Sequence, residues 1–130
     1  MNHLLDPTTP VTHPALVTAL CKDGQEIKDS LTFVDCHLVH MTMGISGEAG
    51  ELLDAIKKAV IYRKPIDIPN VIEELGDIEF YMEGLRQCLN ITRQQCLDHN
   101  IAKLTKRYGE RYSNQAAQAR KDKQNENLRD

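Results

Sequence analysis

Two pairs of acidic residues have a spacing that suggests chemistry. Glu48 and Glu51 lie three residues apart, as do Glu74 and Asp77, and in a helix this spacing places both carboxylates of a pair on one face. Each pair begins on the apolar face of its helical segment. Because a buried carboxylate without a partner is strongly disfavoured, these groups need protons, basic partners or a metal cation.

A hard divalent cation is the partner that suits both pairs together. The pairs lie on helices joined by a short loop, so they should face each other, and facing carboxylates repel. Mg²⁺ takes oxygen ligands and commonly binds carboxylates together with substrate phosphates. The ordinary alternatives are a solvated acidic face, a favourable helix-dipole position for Glu74, or a pair between Glu51 and Lys58. They explain one acidic pair better than they explain both.

Basic side chains are available to meet the phosphates that a metal would bring. The residues that follow the first acidic pair are Lys57, Lys58, Arg63 and Lys64. Lys103 and Arg107 are four residues apart on a later helix and share a face with Asn100. His37 and His40 project near the face of Glu48, and either contacts a ligand or is an ordinary hydrogen-bonded histidine.

The apolar pattern predicts the helices that position these side chains. They are expected over residues 14–27, 30–62, 70–89 and 92–108. Two prolines within residues 62–69 indicate a loop. Asn70 with Glu73, and Thr92 with Gln95, have the spacing of capping boxes at helix starts. No stretch alternates like a strand, so the predicted fold class is all-α, a helical bundle.

Three glycines interrupt the second of these helices, at Gly44, Gly47 and Gly50. Each glycine costs about 1 kcal/mol relative to alanine inside a helix. Three within seven residues therefore indicate either a bend or a place where another backbone or a ligand comes close.

The predicted organisation is one domain with two polar ends. Residues 1–14 contain three prolines and are expected to form an extended arm. Residues 15–112 form the helical domain. Residues 113–130 have almost no large apolar side chains, which predicts a mobile tail or a helix that docks only against a partner subunit.

Composition limits the partners of the chain. The 130 residues carry a net charge of -3, which is unfavourable for non-specific binding to nucleic acid. No apolar run approaches the roughly 20 residues that a membrane span needs. We therefore expect neither a nucleic-acid nor a membrane partner. The four cysteines have no CxxC spacing, so we expect reduced thiols in a cytoplasmic protein.

Three motifs in order resemble those of MazG-like nucleotide pyrophosphohydrolases, in the all-alpha NTP pyrophosphatase superfamily. They are GISGEAGELLDAIKK at 44–58, NVIEELGDIEFY at 70–81 and NIAKLTKRY at 100–108. The resemblance implies an all-α bundle completed by oligomerisation, as a homodimer or homotetramer. It also implies hydrolysis of a nucleoside triphosphate between the α and β phosphates to a monophosphate and pyrophosphate.

The resemblance gives the candidate residues their roles. The acids Glu48, Glu51, Glu74 and Asp77 match the catalytic ligands of Mg²⁺, for which Mn²⁺ is the expected substitute. The expected substrate-binding residues are His37, Lys58, Tyr81, Asn100, Lys103 and Arg107, of which the last four match family positions that contact nucleotide. Relatives often surround the base with tryptophan, but this chain has none, so its base preference is left open.

Two rival functions stay open from sequence. A non-catalytic helical module could bind a nucleotide or a protein partner without turnover, and a plain oligomeric bundle would bind neither Mg²⁺ nor nucleotide. The intact set of four acids favours the enzyme, because clustered carboxylates in an apolar stripe give a scaffold no evident advantage.

Overall fold

The described chain consists of helices joined by short loops. The computed structural model describes residues 11–123, and no strand occurs among them. The helices are α1 (His13–Leu20), α2 (Gly24–Ser30), α3 (Phe33–Val60), α4 (Ile68–Leu89), α5 (Arg93–Tyr108) and α6 (Asn114–Ala119), followed by a 3-10 turn at Lys121–Lys123. The predicted all-α fold class is confirmed. None of the helices in this range is long and apolar enough to cross a membrane.

The chain divides into two compact units, and the first ends at Cys36. Its described part holds α1 and α2, where the sequence had predicted one helix over 14–27. That prediction is wrong because Asp23 acts as a new N-cap, its carboxylate accepting hydrogen bonds from the backbone N–H groups of Gln25 and Glu26. Gly24 is therefore the first residue of α2.

The predicted N-terminal arm lies mostly outside the described residues, which start at residue 11. Within the described part, α1 begins at His13 and includes Pro14, so the last two residues of the predicted arm are helical. The Thr12 hydroxyl caps this helix by accepting from the N–H of Ala15, and proline is well tolerated in a first helical turn.

The second unit begins at His37 and holds most of α3 together with the elements that follow. The predicted N-cap of α4 at Asn70 is wrong by three residues. Asp67 is the cap, and its carboxylate accepts from the Asn70 N–H at 3.1 Å. Pro69 suits this start because proline fits the first helical turn and lacks the N–H that would be left unpaired there.

The capping box predicted for α5 is confirmed. The Gln95 N–H donates to the Thr92 hydroxyl at 3.1 Å, and the Thr92 N–H donates to the Gln95 side chain at 2.7 Å. The helix ends at Tyr108, and Gly109 follows with φ 66°, a conformation that favours glycine. This end is also as predicted.

Side chains of α3 and α4 pack against the opposite helix at two glycines. A Cβ added to Gly44 would overlap the ring of Tyr81, and one added to Gly84 would overlap the thioether sulfur of Met41. At Gly44 the group that comes close is the side-chain ring of Tyr81, not a backbone or a ligand, and nothing lies within 4 Å of a Cβ placed at Gly47 or Gly50. The helix runs unbroken from Phe33 to Val60.

These two contacts fix the register of an antiparallel pair. Moving from Met41 to Gly44 on α3 corresponds to moving back from Gly84 to Tyr81 on α4. Continuing in the same steps of three or four residues brings Glu48 level with Asp77, and Glu51 level with Glu74. The packing of the helices therefore sets the two acidic pairs against each other.

The polar tail folds back on its own chain. Both α6 and the 3-10 turn contact α5, and the Ser113 hydroxyl caps α6 by accepting from the Ala116 N–H. The expectation that residues 113–130 are mobile or dock only on a partner subunit is thus wrong for residues 113–123. The tail docks on α5 because Asp122 forms an ion pair with Arg107. Residues 124–130 lie outside the described residues.

The glycine contact gives a stability test. We expect Gly44→Ala to lower the free energy of unfolding by about 1–3 kcal/mol, since the new methyl group must displace the Tyr81 ring. Gly47→Ala is the matched control, because nothing lies within 4 Å of a Cβ at that position. Its better helix propensity should stabilise the protein by about 0.5–1 kcal/mol. Urea unfolding at one fixed protein concentration measures both, and equal stability of the two variants would contradict the proposed close approach.

Candidate functional site

Three carboxylates from two helices come together between α3 and α4. Glu48, Glu74 and Asp77 each offer an oxygen, and these oxygens all lie within 4.8 Å of one another. Glu48 and Glu74 are half-buried, and Asp77 is exposed. A set of oxygen ligands with this geometry could bind a hard metal cation.

The electrostatics of the cluster are unbalanced. The pKa of Glu74 is raised above its ordinary value, first because burial disfavours the charged form, and then because Glu48 and Glu51 place negative charge nearby. A side-chain hydrogen bond to Glu48 acts in the same direction. The ionised cluster is therefore strained by repulsion, which a proton or a cation would relieve.

Glu51, the fourth predicted ligand, lies beside the cluster. It is exposed and is not among the three residues whose oxygens gather within 4.8 Å. Its charge nevertheless raises the pKa of Glu74, and it also raises the pKa of Lys58. Glu51 is thus close enough to contribute charge to a site that the other three acids form.

Lys58 pairs with an acid that sequence reasoning had not singled out. Its Nζ lies 2.8 Å from the carboxylate of Asp54, one turn earlier on α3. Hydrogen bonding to Asp54 is the main reason that the pKa of Lys58 is raised. The alternative pairing of Lys58 with Glu51 is not the one observed. The spacing of four residues could have identified Asp54.

Tyr81 and His37 lie further along the same helix pair. The Tyr81 ring rests on Gly44, with its centroid 5.3 Å from the Phe80 ring and 6.1 Å from the His40 ring. His37 lines a neighbouring cavity of about 680 Å³ with Met41, Phe80 and Arg86, among others. In the described part of the chain, no hydrogen bond or ion pair connects His37 or Tyr81 to the three carboxylates.

The wall of that cavity holds a charged residue that the sequence did not reveal. Arg86 is buried, and its guanidinium lies 2.8 Å from Glu83 and 3.6 Å from Glu79. Hydrogen bonding to Glu83 is the first cause of the raised pKa of Arg86. The spacing of Glu83 and Arg86 was visible in the sequence, but the burial that makes the pair unusual was not.

The predicted residues of α5 form a separate group. Asn100 and Lys103 line one groove together with Gln95 and His99, while Arg107 is held by Asp122 from the tail. Within residues 11–123, neither a hydrogen bond nor an ion pair connects Asn100, Lys103 or Arg107 to the carboxylates of α3 and α4. The structure therefore brings three acids together in one cluster and places the α5 residues in another.

Comparison with known proteins gives one match. Residues 38–112, more than half of the 130-residue chain, match the family model of the MazG nucleotide pyrophosphohydrolase domain. The match covers α4 and α5 completely and begins one turn inside α3, so it includes both acidic pairs. No curated protein and no solved structure matches the chain significantly.

The raised pKa of Glu74 predicts that Glu74→Gln stabilises the protein without metal but reduces the stabilisation that Mg²⁺ provides. The pKa of Glu74 is higher in the folded than in the unfolded protein, so the ionised carboxylate opposes folding. The stability that the protonated group contributes at low pH is therefore lost as pH rises through the pKa of the folded state. Glu74→Gln should therefore raise the Tm of metal-free protein at pH 7. In the wild type, Mg²⁺ at 100 times its Kd should add about 2.7 kcal/mol, whereas Glu74→Gln should gain much less.

Glu73→Gln is the control, because Glu73 is exposed and is the weakest of the causes that raise the Glu74 pKa. Thermal unfolding in EDTA and in Mg²⁺ measures all three proteins. The view that the carboxylates form a metal site fails if Glu73→Gln and Glu74→Gln respond to Mg²⁺ alike.

Proposed function

The chain belongs to the MazG nucleotide pyrophosphohydrolase family, and from this we propose that it is a Mg²⁺-dependent nucleoside triphosphate pyrophosphohydrolase. It cleaves a ribo- or deoxyribonucleoside triphosphate between the α and β phosphates, giving the monophosphate and pyrophosphate. Its role is the control of nucleotide pools or the removal of unwanted nucleotides. Family membership supports hydrolase activity on a phosphoanhydride bond.

The carboxylate cluster is the observation that carries this proposal. Its donors are all carboxylate oxygens, which suit Mg²⁺ better than softer metals. Three ligands also leave coordination positions for water and phosphate oxygens. The raised pKa of Glu74 supports the fit, because burial first and the negative charge of Glu48 and Glu51 next disfavour its ionised form, which a cation would stabilise. Mn²⁺, which accepts the same ligands, is the expected substitute.

Each group of side chains has a distinct part in the proposed mechanism. Glu48, Glu74 and Asp77 would hold the cation, with Glu51 adding negative charge beside them. When bound, Mg²⁺ supplies charge neutralisation on the phosphates and lowers the pKa of coordinated water. Lys103 and Arg107 would stabilise the negative charge that develops on the departing pyrophosphate. Asn100, Tyr81, Lys58 and His37 are proposed to position the nucleotide.

The proposed location is the cytoplasm, where nucleoside triphosphates are present. The four cysteines, all of which lie within the described residues, are free, which agrees with a reducing compartment. Three of them are exposed.

We propose that the active protein is a homodimer or homotetramer, because one chain leaves most of its apolar surface uncovered. Among the described apolar side chains, only Met41 and Ala55 are buried. Ile68, Ile72 and Leu75 form an exposed stripe on α4 roughly opposite Asp77. An exposed apolar stripe of this kind favours packing against another element.

A second copy of the chain is the partner that we propose for these exposed helix faces. Helix α3 shows the same feature as α4, with Val39, Met43 and Leu53 exposed roughly opposite Glu48. The α5 cations are not joined to the carboxylates within the described chain, so a neighbouring copy would be able to supply them. Association would then cover apolar helix faces and complete the site together.

The central test is catalytic. Glu48→Gln and Asp77→Asn should each lower kcat/KM for pyrophosphate release by about 100-fold or more, equivalent to about 2.7 kcal/mol. Separation of mono- from diphosphate products across a panel of ordinary and modified triphosphates measures both the reaction and the preference.

Asp98→Asn is the matched control, since Asp98 is exposed on α5 and its carboxylate accepts a hydrogen bond from Gln94. It should keep near wild-type activity. Undiminished pyrophosphate release from both site variants would refute the assignment of the site. Tight nucleotide binding by the wild type without any product would instead identify a non-catalytic binding module.

The assembly has its own test. Ile72 is 65% exposed in the single chain, so Ile72→Asp should cost that chain little, but it should shift the oligomer toward smaller species by placing a charge in an apolar interface. Light scattering coupled to size exclusion measures the mass over a range of concentrations. Gln115→Asp, at an exposed position of α6, is the control and should leave the mass unchanged. A wild-type protein that is monomeric at every concentration would contradict the proposal.

A further inference from the structure

The tail reaches α5 through a two-point ion pair. Arg107 Nε donates to one carboxylate oxygen of Asp122 at 2.7 Å, and Arg107 Nη2 donates to the other at 2.6 Å. The Asp122 side chain is 2% exposed and that of Arg107 is 17% exposed. This contact is therefore a closed, bidentate interaction, unlike the exposed pair of Asp54 with Lys58.

The surroundings of Asp122 are mainly basic. Asp122 lines a small cavity of about 210 Å³ whose other lining residues are His99, Ala102, Lys103, Lys106 and Lys123. The hydrogen bonds from Arg107 are the main reason that the pKa of Asp122 falls to about 2. Asp122 is therefore ionised at any working pH, and it places a fixed negative charge among cations that suit an anionic ligand.

A carboxylate bound in this way imitates a phosphate. Both groups present two oxygens to the planar guanidinium, and both form paired charge-assisted hydrogen bonds with it. The two Arg107 nitrogens that hold Asp122 are thus unavailable to a phosphate while the tail is docked. A phosphate group that binds Arg107 must first displace Asp122.

We propose that residues 113–123 form an autoinhibitory latch, in which Asp122 occupies Arg107 in competition with the polyphosphate of the substrate. The inference rests on the proposed function insofar as Arg107 is taken to bind phosphate. The latch is closed in the free protein, and binding of a polyphosphate releases the tail from α5. The chain thereby lowers its own affinity for weakly charged anions.

The latch is built to open at low cost. Helix α6 has six residues, which is too few for stability without tertiary contacts. Arg120, between α6 and the 3-10 turn, has φ 45° in the left-handed region, which is unfavourable for a residue with a side chain. Release of Asp122 would allow both features to relax. The ion pair therefore holds the segment in place.

Binding of inorganic tripolyphosphate tests the latch without requiring turnover. If the latch is closed in about nine of ten molecules, Asp122→Asn should bind tripolyphosphate about tenfold more tightly than the wild type. Glu110→Gln is the matched control, because Glu110 is an exposed acid just after α5 and its neutralisation removes the same charge. It should change the affinity by less than about twofold. Isothermal calorimetry measures each Kd.

The gain should depend on Arg107. The double variant Asp122→Asn with Arg107→Gln should bind no more tightly than Arg107→Gln alone, because the latch acts through that guanidinium. The proposal would be overturned if Asp122→Asn bound tripolyphosphate with the same affinity as Glu110→Gln, or more weakly than the wild type. Asp122 would then stabilise the fold or form part of the binding site.

Hydrogen exchange of the wild type gives a second measurement that needs no variant. Addition of tripolyphosphate should increase amide exchange by residues 114–123 as the segment leaves α5. Unchanged or slower exchange at these amides would also overturn the latch. Because neither measurement involves hydrolysis, tighter binding by Asp122→Asn in a chain that cleaves no triphosphate would refute the proposed function and leave the latch standing.

Discussion

The packing of α3 against α4 at Gly44 and Gly84 determines where the acidic pairs lie. Gly44 and Gly84 lack the Cβ that would separate the helices, so Tyr81 and Met41 pack directly against the backbone of the opposite helix. The same register that allows this packing sets the acidic pairs against each other. Packing is therefore coupled to repulsion, and a bound cation would stabilise the helix pair as well as take part in chemistry.

The acidic and the basic side chains of the proposed site lie on different helices. Helices α3 and α4 carry carboxylates on one face and exposed apolar residues on the other. Helix α5 supplies the cations Lys103 and Arg107. Because only Met41 and Ala55 are buried among the described apolar side chains, association that covers the outer faces would stabilise the chain. In the proposed assembly, the association that provides this cover also unites the acids with the cations, so stability and activity would share one dependence on protein concentration.

Local signals predicted more of this structure than tertiary ones did. The α5 capping box and the convergence of the acids followed from spacings of three residues and a short loop. Asn70 and Asp67 have similar capping chemistry, and the structure shows that Asp67 is the cap of α4. The docked tail was missed because it depends on Asp122 meeting Arg107 across fifteen residues, and neither composition nor periodicity reports such a contact. The roles of the site residues in substrate binding stay predictions.

The acids of α3 and α4 would be stabilised by a cation, whereas Arg107 on α5 is paired with an anion that a phosphate could replace. One ligand that carries both charges would therefore suit both groups. The pKa of Glu74 is raised, first by burial and then by the negative charge of Glu48 and Glu51, whereas the hydrogen bonds from Arg107 lower the pKa of Asp122 to about 2. A cation alone would relieve only the first cluster, and a simple anion would act only on the second. A metal–triphosphate complex carries both charges on one molecule: its cation would meet the acids, and its phosphate oxygens would replace Asp122 on Arg107. The free energy of binding would then depend on both exchanges together, which favours a polyphosphate with its metal over either component alone.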